Sequence, residues 1–372
     1  MEKKVSIVSS VYNKATWLDR FFKSIINQTY KNIEYVIVNN ASTDNSGEII
    51  NRYAKIDSRI KVITVEINNG PSSGYGIGLD NVTGFYFTLI DSDDYIDPDY
   101  IEKLVEAIDA NNADMSMCVN DLVWDNGKTK HKKWPQEPLN IIEGESIKML
   151  PCQLLDELND KYLGFHMPEI GAVWNKLYKT SIIRDNGINF TPGLFIWCDF
   201  IFNLEVVKKI KKVAYINTTC YHFSQSDTGS VTRASSYTPL NNQRVLNALK
   251  YIENECIDIM TPNLECALNV FRFNRIREMI SYNLNHLGNP LSRQEMKDLN
   301  RIILETPSAV ALFSSNVVPM LKRSNRLEYN SYKKNTILLT YYYIRFEFGV
   351  RRIFGKIGRI LGIKKKQYNI IQ

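Results

Sequence analysis

Three acids within four residues close the stretch FYFTLIDSDDYID, Phe85 to Asp97, and no other stretch of this chain offers chemistry so plainly. Asp91, Ser92, Asp93 and Asp94 follow an apolar run of strand length that contains Phe85, Phe87, Leu89 and Ile90. Crowded carboxylates raise one another's pKa unless a cation shares the site. Alternating acids can reach the same ion, so Asp91-Ser92-Asp93 suggests a hard divalent cation held by oxygen. A solvated acidic turn with a capping aspartate explains the same residues, and the elements around them must decide.

Those elements are legible. Asp97-Pro98 followed by Ile101, Leu104, Val105 and Ile108 reads as an N-cap, a first-turn proline and an amphipathic helix. The acids then sit at a strand's carboxyl end, the edge where open α/β sheets bind ligands. Val5 to Asn13, VSIVSSVYN, is a strand ending in turn residues, and Leu18, Phe21, Phe22, Ile25 and Ile26 follow at helical spacing. Glu34 to Ser46 repeats the pattern, with Ile49, Ile50 and Tyr53 on the next helix. Ile60 to Val65 is a third strand, and Asp114 to Val119 is expected as a fifth. This alternation over about 120 residues predicts a mostly parallel, Rossmann-like sheet covered on both faces. Its loops would bring Tyr12-Asn13, Asn39 to Ser42 and Asp91 to Asp93 to one crevice of nucleotide size. Gly74-Tyr75-Gly76 starts a dinucleotide fingerprint, but the third glycine position is Leu79 and the segment follows the wrong strand. Its glycines serve either close helix packing or backbone approach to a phosphate. No Walker loop or H-E-x-x-H is present.

Taken in order, VSIVSSVYN, NQTYKNIEYVIVNNASTDNS, DSRIKVI, NNGPSSGYGIGLDNVTGFYFTLIDSDDYI and VWNKLYKTSII resemble the family 2 glycosyltransferases of the GT-A fold, notably those building bacterial capsule, wall or lipopolysaccharide glycans. The resemblance covers residues 1 to 235. It implies a nucleotide-sugar donor, with Val11, Tyr12, Asn13, Asn40 and Ser42 around base and ribose, Tyr75 where relatives often face the diphosphate with an arginine, and Ser92 as a further nucleotide-binding residue. It makes Asp93 the ligand of a divalent cation, Mn2+ or Mg2+, with Asp91 on the ribose or the ion, His222 as a further ligand, and Trp174 and Lys176 on the acceptor side. Relatives invert the sugar with the aspartate of an E-D pair as base, which falls on Asp199; their glutamate is Cys198 here. A helix N-cap explains Asp199 as well. Relatives often read V-D-D-G-S where this chain has Val38-Asn39-Asn40-Ala41-Ser42, which puts a UDP donor in question, because an amide donates as well as accepts. A nucleotidyl or phosphoglycosyl-type transferase, and a non-catalytic glycan- or nucleotide-binding scaffold, are the alternatives.

The rest of the chain sets the context. Its 372 residues suit two units and need no disulfides, and six cysteines without metal spacing suit free thiols. No signal peptide is recognisable before Val5, and no apolar run reaches the ~20 residues of a membrane span. The net charge of +6 hides a division: residues 321–372 hold 13 Lys and Arg against Glu328 and Glu347. Residues 236–330 read as a helical region and 331–372 as a basic amphipathic tail, with Val350, Ile353, Phe354, Ile357, Ile360 and Leu361 in one stripe. Such a tail fits an anionic membrane surface. The expected setting is the inner face of the plasma membrane, with a glycan or lipid-linked acceptor, a homo-oligomer open and no nucleic acid.

Overall fold

The computed structural model describes residues 2–131, 137–156, 163, 167, 169–225, 239–285, 293–315, 326, 329, 330 and 332–334. The expected tail helix and residues 226–235 lie outside them. The chain divides into two compact units, Met1–Leu268 and a second beginning at Asn269. The first unit therefore takes in part of the region read from sequence as a separate helical part.

The first unit alternates as expected: β1 (Val5–Val11), α1 (Ala15–Ile26), β2 (Ile33–Asn40), α2 (Ser46–Ile56), β3 (Ile60–Val65), α3 (Pro71–Asp80) and β4 (Tyr86–Leu89). A short β5 (Tyr95–Ile96) then precedes α4 (Tyr100–Ala110). The helix starts later than Asp97-Pro98 implied, because β5 pairs antiparallel with a distant strand and the Asp97 N–H donates to Cys220 O at 3.0 Å. Next come β6 (Met115–Trp124), β7 (Thr129–His131), β8 (Leu139–Glu143), α5 (Leu150–Leu155), β9 (Lys176–Lys179), α6 (Thr180–Asn186), α7 (Cys198–Val207), β10 (Lys212–Gln225) and α8 (Pro239–Cys256).

One sheet runs β3-β2-β1-β4-β9-β6-β10-β5, with β7 on β6 and β8 on β10. The pairs β3-β2, β2-β1, β1-β4 and β6-β10 are parallel, while β9 runs antiparallel between β4 and β6. Strand order reverses at β1, where β2 lies on one side and β4 on the other, and this opens a crevice at their carboxyl ends. Both faces are covered. Val5, Ile7 and Val11 pack with Phe21, Phe22, Ile101 and Leu104 of α1 and α4. Each fully buried side chain of this size contributes about 1.5–3 kcal/mol.

On the other face α3 lies against β1 without room for side chains. A Cβ on Gly78 would stand 2.3 Å from Val8 Cγ1, and one on Gly74 would stand 2.0 Å from Ser10 Oγ. Helix packing, not phosphate approach, is thus what these two glycines serve.

The second unit contains α10 (Arg293–Leu304) and α11 (Pro307–Ser314), after α9 (Pro262–Asn285), which spans the division. Phe273 and Phe313 pack on Tyr329, whose hydroxyl donates to Leu312 O.

Candidate active site

The acids after β4 have three different tasks. Ile90 N donates to Val8 O at 3.0 Å, which keeps the end of β4 beside β1, and Asp94 N donates to Asp91 O at 3.0 Å, which turns the chain. Ser92 is buried and its hydroxyl donates to Ser10 O at 3.1 Å. Asp94 is buried too and holds β10: it accepts from Ser224 N and from the Tyr221 hydroxyl, each at 2.7 Å. Asp91 accepts from the Tyr75 hydroxyl. Asp93 faces the Lys14 ammonium at 2.5 Å, and its carbonyl accepts from Arg20 at 2.9 Å.

Burial, then the charges of Asp199 and Asp93, push the Asp91 carboxyl up to about 7, against the Tyr75 hydrogen bond and Lys14. Burial, then Asp91 and Asp93, also raise Asp94.

Asp199 reaches the same space from α7. Trp197 precedes that helix in the left-handed region, φ 54°, a conformation rare for a large side chain and common where a functional residue must be aimed. Trp197, not Asp199, is the N-cap, which leaves the carboxylate free of the capping role. Its recorded partner is the Cys198 thiol, 3.4 Å from Oδ1. Burial lifts Asp199 to about 6, opposed by that thiol and by the Lys176 charge. Cys198 itself is buried and pushed well above the usual thiol range, so it is a neutral donor and no nucleophile.

Tyr75 ties the two acids together. Burial, then the charges of Asp91, Asp199 and Asp93, raise its phenol far above the ordinary value. Its ring stacks on Phe190 at 5.2 Å, and Phe190 stacks on Phe202 of α7 at 4.6 Å. An aromatic column thus runs from α3, whose Tyr75 hydroxyl holds Asp91, to α7, the helix that carries Asp199.

The loops after β1 and β2 fold onto each other. Asn13, at φ 52°, donates its N–H to Ser42 Oγ (3.2 Å) and accepts from Thr43 N (2.8 Å); Ser42 Oγ donates to Val11 O (3.3 Å). The Val11 side chain is core, while Tyr12 is exposed. Asn40 is buried with its amide donating to Asn68 Oδ1 (3.3 Å) and Gly70 O (3.1 Å), and its Oδ1 has no partner among the described residues.

Three expected site residues are engaged elsewhere. His222 directs Nε2 to Asp97 (2.9 Å) and Nδ1 toward Asp121 (3.9 Å) and stacks on Tyr95, so a carboxylate on each side claims the ring that was expected at the metal. Trp174 is not an exposed acceptor platform: it is buried and stacked on Tyr221 (4.9 Å) and Phe223 (5.0 Å). Lys176 is fully buried, its ammonium donating to Glu169 O and Ala172 O (2.6 Å each), Asn175 Oδ1 (2.9 Å) and Trp174 O (3.5 Å), which removes it from any acceptor surface.

Sequence reading missed Lys14 and Arg20. Lys14 caps α1 next to the turn Tyr12-Asn13, where a cation so close to a strand's carboxyl end is a signal that could have found it; Arg20 lies in the second turn of α1, and no comparable signal marks it. Among the described residues no group of three His, Cys, Asp or Glu side chains is placed to hold a metal ion. Two carboxylates, Asp91 and Asp93, suit a cation whose remaining ligands are phosphate and water.

The glycosyl transferase family 2 profile matches residues 6–166, the segment that supplies β1 to β4 and the acidic tip. The chain carries a family 2 glycosyltransferase domain. Glycosyltransferase GlyA of Streptococcus pneumoniae is 29% identical over 318 residues, 82% of this chain and 44% of GlyA. The putative glycosyltransferase EpsH of Bacillus subtilis is 32% identical over 222 residues, 59% of this chain and 60% of EpsH. The chain thus spans about half the length of these curated relatives. The glycosyltransferase domain also shares its fold with residues 1–349 of TarS from S. aureus, solved with UDP-GlcNAc: TM-score 0.64, 18% identity, 90% of this chain and 91% of that one.

Proposed function

We propose that this protein transfers a sugar from a nucleoside diphosphate donor to a hydroxyl of a glycan or lipid-linked acceptor in bacterial cell-surface polysaccharide synthesis, with inversion at C1. The observation that carries the reading is Asp91 bound by the Tyr75 phenol, with the charges of Asp199 and Asp93 bearing on both groups and two of the three carboxyls displaced upward. Asp199 removes the acceptor's proton while that oxygen attacks C1. The bond from C1 to the diphosphate breaks on the opposite face, and the diphosphate leaves with the electron pair. A carboxyl at about 6 is ionised near neutral pH yet basic enough to take a proton. Asp93 and Asp91 would hold a divalent cation, Mn2+ or Mg2+, which supplies charge neutralisation for the departing diphosphate.

TarS, whose structure holds UDP-GlcNAc, makes UDP the first probe. The basic tail supports attachment to an anionic membrane; truncation at Asn335 would release the protein from anionic vesicles, and continued sedimentation would reject that part.

Asp199→Asn tests the reading. Turnover should fall by about 10²–10⁴, the usual worth of a general base, while UDP affinity is kept. Unchanged turnover would overturn the base assignment, and loss of UDP binding alongside it would point to a misplaced site.

A further inference from the structure

We propose that Lys14 is a resident counter-cation of this site: its ammonium holds Asp93 before the donor arrives and passes to the donor's diphosphate when a divalent cation takes Asp93. The inference rests on the donor reading above and adds a specific order of charge exchange to it.

The geometry is that of a placeholder. Lys14 Nζ lies 2.5 Å from Asp93 Oδ2, with the two side chains 19% and 28% exposed. An ammonium at that distance and a divalent cation bound at about 2.0–2.3 Å cannot share one carboxylate edge without strong repulsion. One must leave for the other to bind. The lysine is anchored at its base, where its N–H donates to Ser46 Oγ at 2.9 Å, and its ammonium is held by Asp93 and lies over the Trp17 ring, 5.1 Å from the centroid.

Its position in α1 is also informative. Lys14 is the N-cap residue, and the first turn contains no acid. A cation there opposes the helix dipole, so the position is costly unless anions face it. Asp93 is one such anion, Asp44, which accepts from Ala15 N at 3.1 Å, is a second, and a diphosphate delivered to the same crevice would be a third. Lysine suits this exchange better than arginine would, being a compact charge on a flexible stem that can swing from carboxylate to phosphate.

The test separates metal binding from nucleotide binding. Mn2+ binding without nucleotide is read from the EPR signal of free Mn2+, and UDP binding without metal by calorimetry, for the wild type, Lys14→Met, Lys14→Arg and Lys14→Met/Asp93→Asn. Lys14→Met should bind Mn2+ alone on the order of tenfold tighter than wild type and UDP alone on the order of tenfold weaker, the worth of one partly shielded charge pair. Lys14→Arg, which keeps the charge, should stay near wild type in Mn2+ binding, and the double variant should lose the gain. Equal Mn2+ affinity in wild type and Lys14→Met, with UDP still bound in the presence of Mn2+, overturns the exchange and leaves the donor reading standing. Failure of folded wild-type protein to bind UDP with or without Mn2+ overturns the donor reading and the exchange with it.

Discussion

The two ends of the central sheet treat their carboxylates in opposite ways. At the amino ends of the parallel strands every acid named here has a basic partner: Glu34 with Lys4 (2.7 Å), Asp109 with Lys3 (2.6 Å), Asp114 with Lys179 (3.1 Å). Glu34 is half-buried; burial works against its charge, yet bonds from Lys4, Ser6 and Thr83 outweigh that and hold it at about 2. Asp109 is lowered in the same way, burial being outweighed by Lys3 and Tyr86. At the carboxyl ends Asp91 stands at about 7 and Asp199 at about 6 although the Lys14 and Lys176 charges oppose those rises, and of these acids and Asp93 only Asp93 is in ion-pair contact, with Lys14. The most deeply buried lysine at that end, Lys176, donates to four neutral oxygens. One edge is electrostatically complete and stabilises the fold. The other keeps charge in reserve for a ligand that brings its own cations, the pattern expected of a functional site.

The comparison can be broken at its strongest point first. Lys176→Met would strand main-chain carbonyls and Asn175 Oδ1 in the interior, and should cost about 3–5 kcal/mol in urea unfolding. A cost below about 1 kcal/mol would show that this ammonium is not a structural pin. Glu34→Gln should cost about 2 kcal/mol at pH 7 and leave turnover unchanged. The sign follows from a folded pKa below the unfolded one: the contribution is present above the unfolded value near 4.5 and disappears as pH falls through about 2. The smallest effect is expected at Cys198. Removing its thiol in Cys198→Ala takes away a hydrogen bond that favours the Asp199 carboxylate, so the acid limb of the turnover profile, near pH 6, should move upward by a fraction of a unit. A downward movement would mean that the thiol opposes the charge.

Much of this was readable in the sequence where one stretch determines the outcome alone. β1 to β4, the helices α1 and α2 and the placement of Asp91 and Asp93 follow from apolar periodicity and from the polar residues that end each strand. Residues whose role depends on what folds against them were not readable. Trp174 was expected on the acceptor side, and its burial became visible only when β10 supplied Tyr221 and Phe223 to stack on it. His222 looked available until β5 brought Asp97 beside it, and that pairing needs a strand only two residues long. Lys14 and Arg20 are ordinary helix residues by periodicity, and only the fold puts them on Asp93. The glycines of α3 had two readings, and the distance to Val8 and Ser10 chose between them.

The most direct test of the contrast needs no substrate: thermal unfolding of wild type, Asp91→Asn and Glu34→Gln between pH 5 and pH 8. Asp91 has a folded pKa raised to about 7, so its stabilising contribution is full below the unfolded value and is lost as pH rises through about 7. Asp91→Asn should therefore gain on wild type steadily from pH 5 to pH 8, by a few degrees or about 1–3 kcal/mol across that range, while Glu34→Gln falls below wild type at both ends. If Asp91→Asn instead loses stability at pH 8 as Glu34→Gln does, the carboxyl edge is as well neutralised as the amino edge, and the account of a site holding charge for its ligand is wrong.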